Sequence, residues 1–136
     1  MKKINVAVIG ARFGRNHIEG ALRSKNTNLV CFCDKDEEFA KQISEELKVP
    51  YVLDAEEIFS NSEIEAVTIA LPDQIHAEMS IRAMRAGKHV MCEKPMALKL
   101  DECKEMIKVS KETGKFLMVG QVCRFTPGFI RAKELI

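Results

Sequence analysis

Gly10-Ala11-Arg12-Phe13-Gly14 joins an apolar run to a stretch of helical character that carries Asn16, His17, Ile18 and Leu22. A glycine turn in that context suits a pyrophosphate, because glycine lets the backbone approach closely and N–H groups at the helix start meet the anion. The spacing departs from Gly-x-Gly-x-x-Gly, since no glycine stands between Gly10 and Gly14. Arg12 or Phe13 must then supply the main-chain contact that a middle glycine would give. A plain tight strand-to-helix connection is the alternative reading. Asp34 closes the next apolar run, Cys31-Phe32-Cys33-Asp34, 20 residues after Gly14. A carboxylate there accepts hydrogen bonds from adenosine ribose hydroxyls and repels a 2′-phosphate, which favours NAD over NADP. Lys35 follows at once and partly offsets that repulsion, so NADP stays possible. Asp34 can also be read as the cap of a helix beginning near Asp36.

These groups need a scaffold, and the hydropathy pattern supplies one. Ile4 to Ile9, Leu29 to Cys33, Ala66 to Leu71, His89 to Cys92 and Phe116 to Val119 are short apolar runs, each reading as a strand buried on both faces, with a weak strand at Tyr51 and Val52. Helical patterns lie between them at roughly 14–24, 36–48, 55–60, 74–86 and 100–113. Phe39, Ile43 and Leu47 recur every four residues while Glu37, Glu38, Lys41, Glu45 and Glu46 line the opposite side. Gly87 and Gly114 sit just past two helix ends. Strands alternating with helices predict an α/β fold: a doubly wound, parallel, six-stranded sheet with helices on both faces. Residues 1–120 make this domain. Residues 121–136 form a connector and the start of an amphipathic helix, whose Phe129, Ala132, Leu135 and Ile136 need a surface to cover.

The chain has 136 residues, 46% hydrophobic and 30% charged, with 7 Gly and 4 Pro, which fits one globular core and excludes a disordered or fibrous chain. A net charge of +1 gives no whole-chain argument for nucleic acid. The halves differ: residues 1–81 carry nine basic and fourteen acidic groups, residues 82–136 twelve and six. Solvated helix faces explain that split, and a field attracting an anionic ligand is the other reading. Arg12 and Arg15 come too early for a signal peptide, and no uncharged apolar run approaches the roughly 20 residues that span a bilayer. Cys31, Cys33, Cys92, Cys103 and Cys123 form no Cys-x-x-Cys pair and read as buried free thiols, so a cytoplasmic location is expected.

Three further segments carry a resemblance: Leu71-Pro72-Asp73-Gln74-Ile75-His76, Gly87-Lys88-His89-Val90-Met91-Cys92-Glu93-Lys94-Pro95 and Val119-Gly120-Gln121-Val122-Cys123-Arg124-Phe125-Thr126-Pro127. In this order they resemble the Gfo/Idh/MocA oxidoreductases, named for glucose-fructose oxidoreductase and inositol 2-dehydrogenase. The resemblance implies a Rossmann domain. It also implies that Glu93 faces the nicotinamide ribose and that Lys94 stands beside the reacting carbon and the substrate hydroxyl, stabilising negative charge as a hydride moves. Lys94 taken alone reads as a solvated loop lysine. Leu71, Pro72, Glu93, Lys94 and Gln121 all fall just past strand ends, where open α/β sheets bind ligands. His76 is assigned to the helix start of the nicotinamide pocket rather than to proton transfer, and His17 and His89 to structural or surface roles. The glycine turn is one residue shorter than the family's. The family also continues into a larger C-terminal substrate domain, and nothing in these residues matches it. The expectation is therefore a domain that binds cofactor without turnover, from an oxidoreductase acting on a sugar or polyol hydroxyl. A free-standing NAD-sensing or subunit-pairing module, its Phe125 and Phe129 covered by a twofold-related copy, is the alternative. No metal, membrane or nucleic-acid partner is expected.

Overall fold

The computed structural model describes residues 2–136. Its parallel strands β1 (Ile4–Ile9), β2 (Thr27–Cys33), β3 (Tyr51–Val52), β4 (Ala66–Ile69), β5 (His89–Cys92) and β6 (Leu117–Val119) lie in the order β3-β2-β1-β4-β5-β6. Between them run α1 (Ala11–Arg23), α2 (Glu37–Leu47), α3 (Ala55–Ser60), α4 (His76–Arg85) and α5 (Leu100–Thr113), and α6 (Pro127–Leu135) follows β6. The winding reverses between β1 and β4, and a crevice opens there at the carboxyl ends of the strands.

Side-chain alternation along the strands builds two cores. Val8 and Phe32 pack with Ile18 of α1 and Ala40 and Ile43 of α2 on one face. Ile9, Val67, Ile69, Val90 and Cys92 pack with Ile58 of α3, Met84 of α4 and Met106 and Val109 of α5 on the other. The expected six-stranded sheet with helices on both faces is therefore present. Local chemistry sets the helix ends. The Asp36 carboxylate accepts from Phe39 N–H (3.1 Å) and Asp54 from Glu56 N–H (3.0 Å). Gly114 at φ 65° closes α5.

Several expectations are corrected. The first helix begins at Ala11 rather than near residue 14, so Gly14 lies inside it. A 3-10 turn, Asp73–Ile75, precedes α4. Burial on both faces fails for the last strand: on the face where α1 and α2 pack, α1 reaches as far as β4, while Met118 of β6 and Phe116 just before it stand 48% and 77% exposed. Of the five thiols, Cys31, Cys33 and Cys92 are buried, Cys103 is half-buried, and Cys123 is exposed on the 3-10 turn Val122–Phe125. No residue of α6 is buried.

Candidate dinucleotide site

Gly10 begins the site. It has φ 94°, and a Cβ there would lie 2.2 Å from the Ala70 carbonyl oxygen, so only glycine lets the end of β1 lie this close to the end of β4. A Cβ on Gly14 would lie 2.7 Å from Val8 Cγ1 and 3.1 Å from Ala70 Cβ. Gly14 thus seats α1 directly on the sheet, with its first turn at the crevice. The Asp34 carboxylate accepts from Ala11 N–H through Oδ2 (2.9 Å) and from Asp36 N–H through Oδ1 (3.1 Å). Gly10 N–H donates to the Cys33 carbonyl (2.8 Å) and Gly14 N–H to the Gly10 carbonyl (2.9 Å). The first-turn N–H groups left without a protein partner among the described residues are those of Arg12 and Phe13, at the cleft mouth.

The cleft measures 390 Å³. Gly10, Arg12, Phe13, Asp34, Lys35, Leu71 and Pro72 line it, as the strand-end rule expects. Its far wall, made by Leu53, Asp54, Ile75, Met79 and Arg82, was not expected. Leu53 could have been found by the same rule, because it follows β3 directly as Asp34 follows β2. Helix capping, the other reading of Asp34, belongs to Asp36. Arg12 pairs with Asp36 and lies 4.4 Å over the Phe39 ring. Phe39 N–H and the Arg12 guanidinium together hold the exposed Asp36 carboxyl below the usual carboxylate range.

The cleft accommodates half of a dinucleotide. An ionised carboxylate offers about four lone-pair positions, and Asp34 uses two on the backbone, which leaves two for ribose hydroxyls. The mainly apolar walls suit an adenine ring, and the two unpartnered N–H groups suit a phosphate. These residues fit the adenosine end of a nicotinamide dinucleotide.

Glu93, Lys94, His76 and Gln121 lie outside this cleft, Glu93 and Lys94 past the end of β5, Gln121 past β6, and His76 at the start of α4 after β4. Glu93 N–H donates to the Ile69 carbonyl (2.9 Å), which anchors its loop to β4. The Glu93 carboxylate is fixed at both oxygens: His17 Nε2 lies 2.7 Å from Oε1, and Lys94 N–H donates to Oε2 (3.0 Å). Burial opposes its ionisation, but His17 and the Lys94 N–H outweigh burial and hold Glu93 below the ordinary range. His17, read from the sequence as a structural or surface group, is thus the side-chain partner of Glu93. Lys94 and Gln121 are exposed, and the Lys94 ammonium has no partner among the described residues. His76 is 1% exposed, and its ring lies between the carbonyl oxygens of Leu71 and Pro95, 2.7 Å from each. No group of side chains able to hold a metal occurs among the described residues, and no helix there is long and apolar enough to cross a membrane.

A 3-2-1-4-5-6 parallel sheet with a glycine turn, an acidic group past β2 and a polar cluster past β5 defines a nicotinamide-dinucleotide-binding Rossmann domain of the oxidoreductase class. Residues 4–121 match the family model for the oxidoreductase family with an NAD-binding Rossmann fold. The chain belongs to that family, Gfo/Idh/MocA. It is 34% identical over 137 residues to scyllo-inositol 2-dehydrogenase (NAD(+)) from Bacillus subtilis strain 168, covering 98% of this chain and 40% of that protein. It is 32% identical over 136 residues to 2,7-anhydro-N-acetylneuraminate hydratase from Mediterraneibacter gnavus, covering 100% of this chain and 36% of the relative. A crystal structure of GenD2 from gentamicin A biosynthesis in complex with NAD superposes with a TM-score of 0.94 at 25% identity, covering 99% of this chain and 39% of that one. The chain thus spans well under half the length of each of these relatives.

Proposed function

We propose that this domain holds NAD for hydride transfer to or from a carbon bearing a hydroxyl on a sugar or polyol. The observation that carries the reading is the fixed Glu93 carboxylate beside an unpartnered Lys94, on the loop past β5 at the other end of the crevice from Asp34. Bound NAD supplies the hydride acceptor. Arg12 and Phe13 N–H groups take the pyrophosphate, Asp34 the adenosine ribose, and Leu71 and Pro72 one wall. Glu93 orients the nicotinamide ribose. Lys94 Nζ hydrogen-bonds the substrate hydroxyl and stabilises the negative charge on its oxygen as the hydroxyl proton passes to solvent and the hydride would pass to bound NAD, leaving a carbonyl. Gln121 borders the same end. Asp34 favours NAD, while Lys35 and Arg12 leave NADP as a weaker ligand.

Residues 1–120 make the cofactor domain in this reading, and 121–136 lead to a substrate-binding domain that covers α6. The similarity to an inositol dehydrogenase supports the polyol, and the similarity to a hydratase shows that relatives also carry other reaction names. The buried free thiols Cys31, Cys33 and Cys92 suit the reducing cytoplasm, where we place the protein. Lys94→Ala tests the assignment. NAD affinity stays within about twofold, because the ammonium binds no cofactor atom, whereas turnover in a polypeptide carrying the substrate domain falls by about a hundredfold or more. Turnover that survives Lys94→Ala removes the lysine from the mechanism.

A further inference from the structure

We infer that His17 is a positioning residue for the nicotinamide end. Its ring joins the second turn of α1 to the Glu93 carboxylate, so the helix that receives the pyrophosphate also aims the group that receives the second ribose. The inference deepens the proposed function and rests on its placement of the nicotinamide ribose at Glu93.

His17 Nε2 lies 2.7 Å from Glu93 Oε1, across 76 positions of sequence. A carboxylate only accepts, so His17 presents an N–H at Nε2. The contact needs no charge on the ring, because the neutral tautomer with its proton on Nε2 supplies the same N–H. Lys94 N–H donates to the other oxygen, Oε2 (3.0 Å). A Cβ on Gly120 would lie 3.5 Å from Glu93 Cδ and Oε1, so the end of β6 also lies against the carboxylate. The His17 and Glu93 side chains are 21% and 22% exposed, which leaves the pair held by protein and still open to a ligand. Each carboxylate oxygen has about two lone-pair positions, so one protein donor on each leaves one free on each. Those two match the neighbouring hydroxyls of a ribose. Lys94 N–H belongs to the same loop as Glu93 and cannot fix the carboxylate relative to another element. His17 does.

α1 sets the spacing. Phe13, whose N–H is unpartnered among the described residues, and His17 are four residues apart on one face of the helix, about 6 Å along its axis. Gly14 between them seats the helix on Val8 and Ala70, and Ile18 beside His17 is 0% exposed. The helix cannot slide or rotate without breaking that packing. The separation between the pyrophosphate N–H groups and the Glu93 carboxylate is therefore built into the fold, with the imidazole as its last link.

ADP and ADP-ribose differ by the terminal ribose, so calorimetry with the two isolates this link. The unaltered protein is expected to bind ADP-ribose more tightly than ADP. His17→Leu keeps bulk but no N–H, and is expected to weaken NAD and ADP-ribose by about tenfold while ADP stays within about twofold. His17→Gln places an amide N–H near the position of Nε2, and is expected to restore ADP-ribose to within about threefold of the unaltered protein. ADP-ribose affinity unchanged in His17→Leu overturns the inference. An equal loss for ADP also overturns it, since His17 would then merely support the helix, as does a His17→Gln variant that fails to rescue. Glu93→Ala separates this inference from the reading beneath it. If the preference for ADP-ribose is absent, or survives in Glu93→Ala, the placement of the nicotinamide ribose fails and the inference with it. If Glu93→Ala erases the preference and His17→Leu keeps it, only the inference fails. Should the His17 variants not fold, nitrogen-15 spectra of the unaltered protein decide: the His17 Nε2 signal is expected to move with ADP-ribose and not with ADP, and an unmoved signal overturns the inference.

Discussion

Asp34 and Glu93 are both carboxylates tied to main-chain N–H groups, yet the second tie differs. Asp34 joins two local backbones, Ala11 and Asp36, and keeps lone pairs free toward the cleft. Glu93 is held by its neighbour Lys94 and by His17, a residue 76 positions away. Replacing His17 by Ala leaves burial opposed only by the Lys94 contacts, so the Glu93 carboxyl should titrate at a higher pH than in the unaltered protein. A carboxyl carbon-13 titration reads this directly; an unmoved Glu93 would show that His17 does not hold it. The sign for stability follows from linkage. A carboxyl depressed in the folded state contributes stability above its unfolded value, and that contribution is lost as pH falls through the folded value. The stability gap between the unaltered protein and His17→Ala is therefore present at neutral pH and shrinks in acid.

The elements are positioned by close approach. Gly14 and Gly20 are both glycines within α1, but their surroundings are opposite: a Cβ at Gly14 meets Val8 and Ala70, while a Cβ at Gly20 meets nothing within 4 Å. Gly20→Ala should raise stability by about 0.5–1 kcal/mol through helix propensity. Gly14→Ala should lower it by about 1–2 kcal/mol, since overpacking exceeds the same propensity gain. Thermal melts that move in the same direction for both would contradict this packing. Strand positions were legible in the sequence because each is a short apolar run, and β5 matches its run at both ends. The start of α1 was not. Its first N–H is satisfied by Asp34, 23 positions away, so Ala11 becomes helical where the local sequence reads as turn. Asp34, Lys35, Leu71 and Pro72 were legible because each follows a strand end. The His17 to Glu93 contact was not, because it depends on the strand order that brings α1 against β4 and the end of β5.

At the scale of the molecule, the two cores lie on opposite faces and the crevice sits at the reversal between β1 and β4. Every group assigned to the cofactor lies at that one rim, while the sheet edge with Met118 and Phe116 lies open. The central claim is that the rim seats NAD through Asp34 and the first turn of α1. A calorimetric titration of this chain tests it most directly. NAD should bind at one saturable site, and Asp34→Ala, with its fold checked by melting, should weaken it by about ten- to a hundredfold, the worth of hydrogen bonds to an ionised group. Absence of heat with NAD, or equal affinity in Asp34→Ala, would contradict the account.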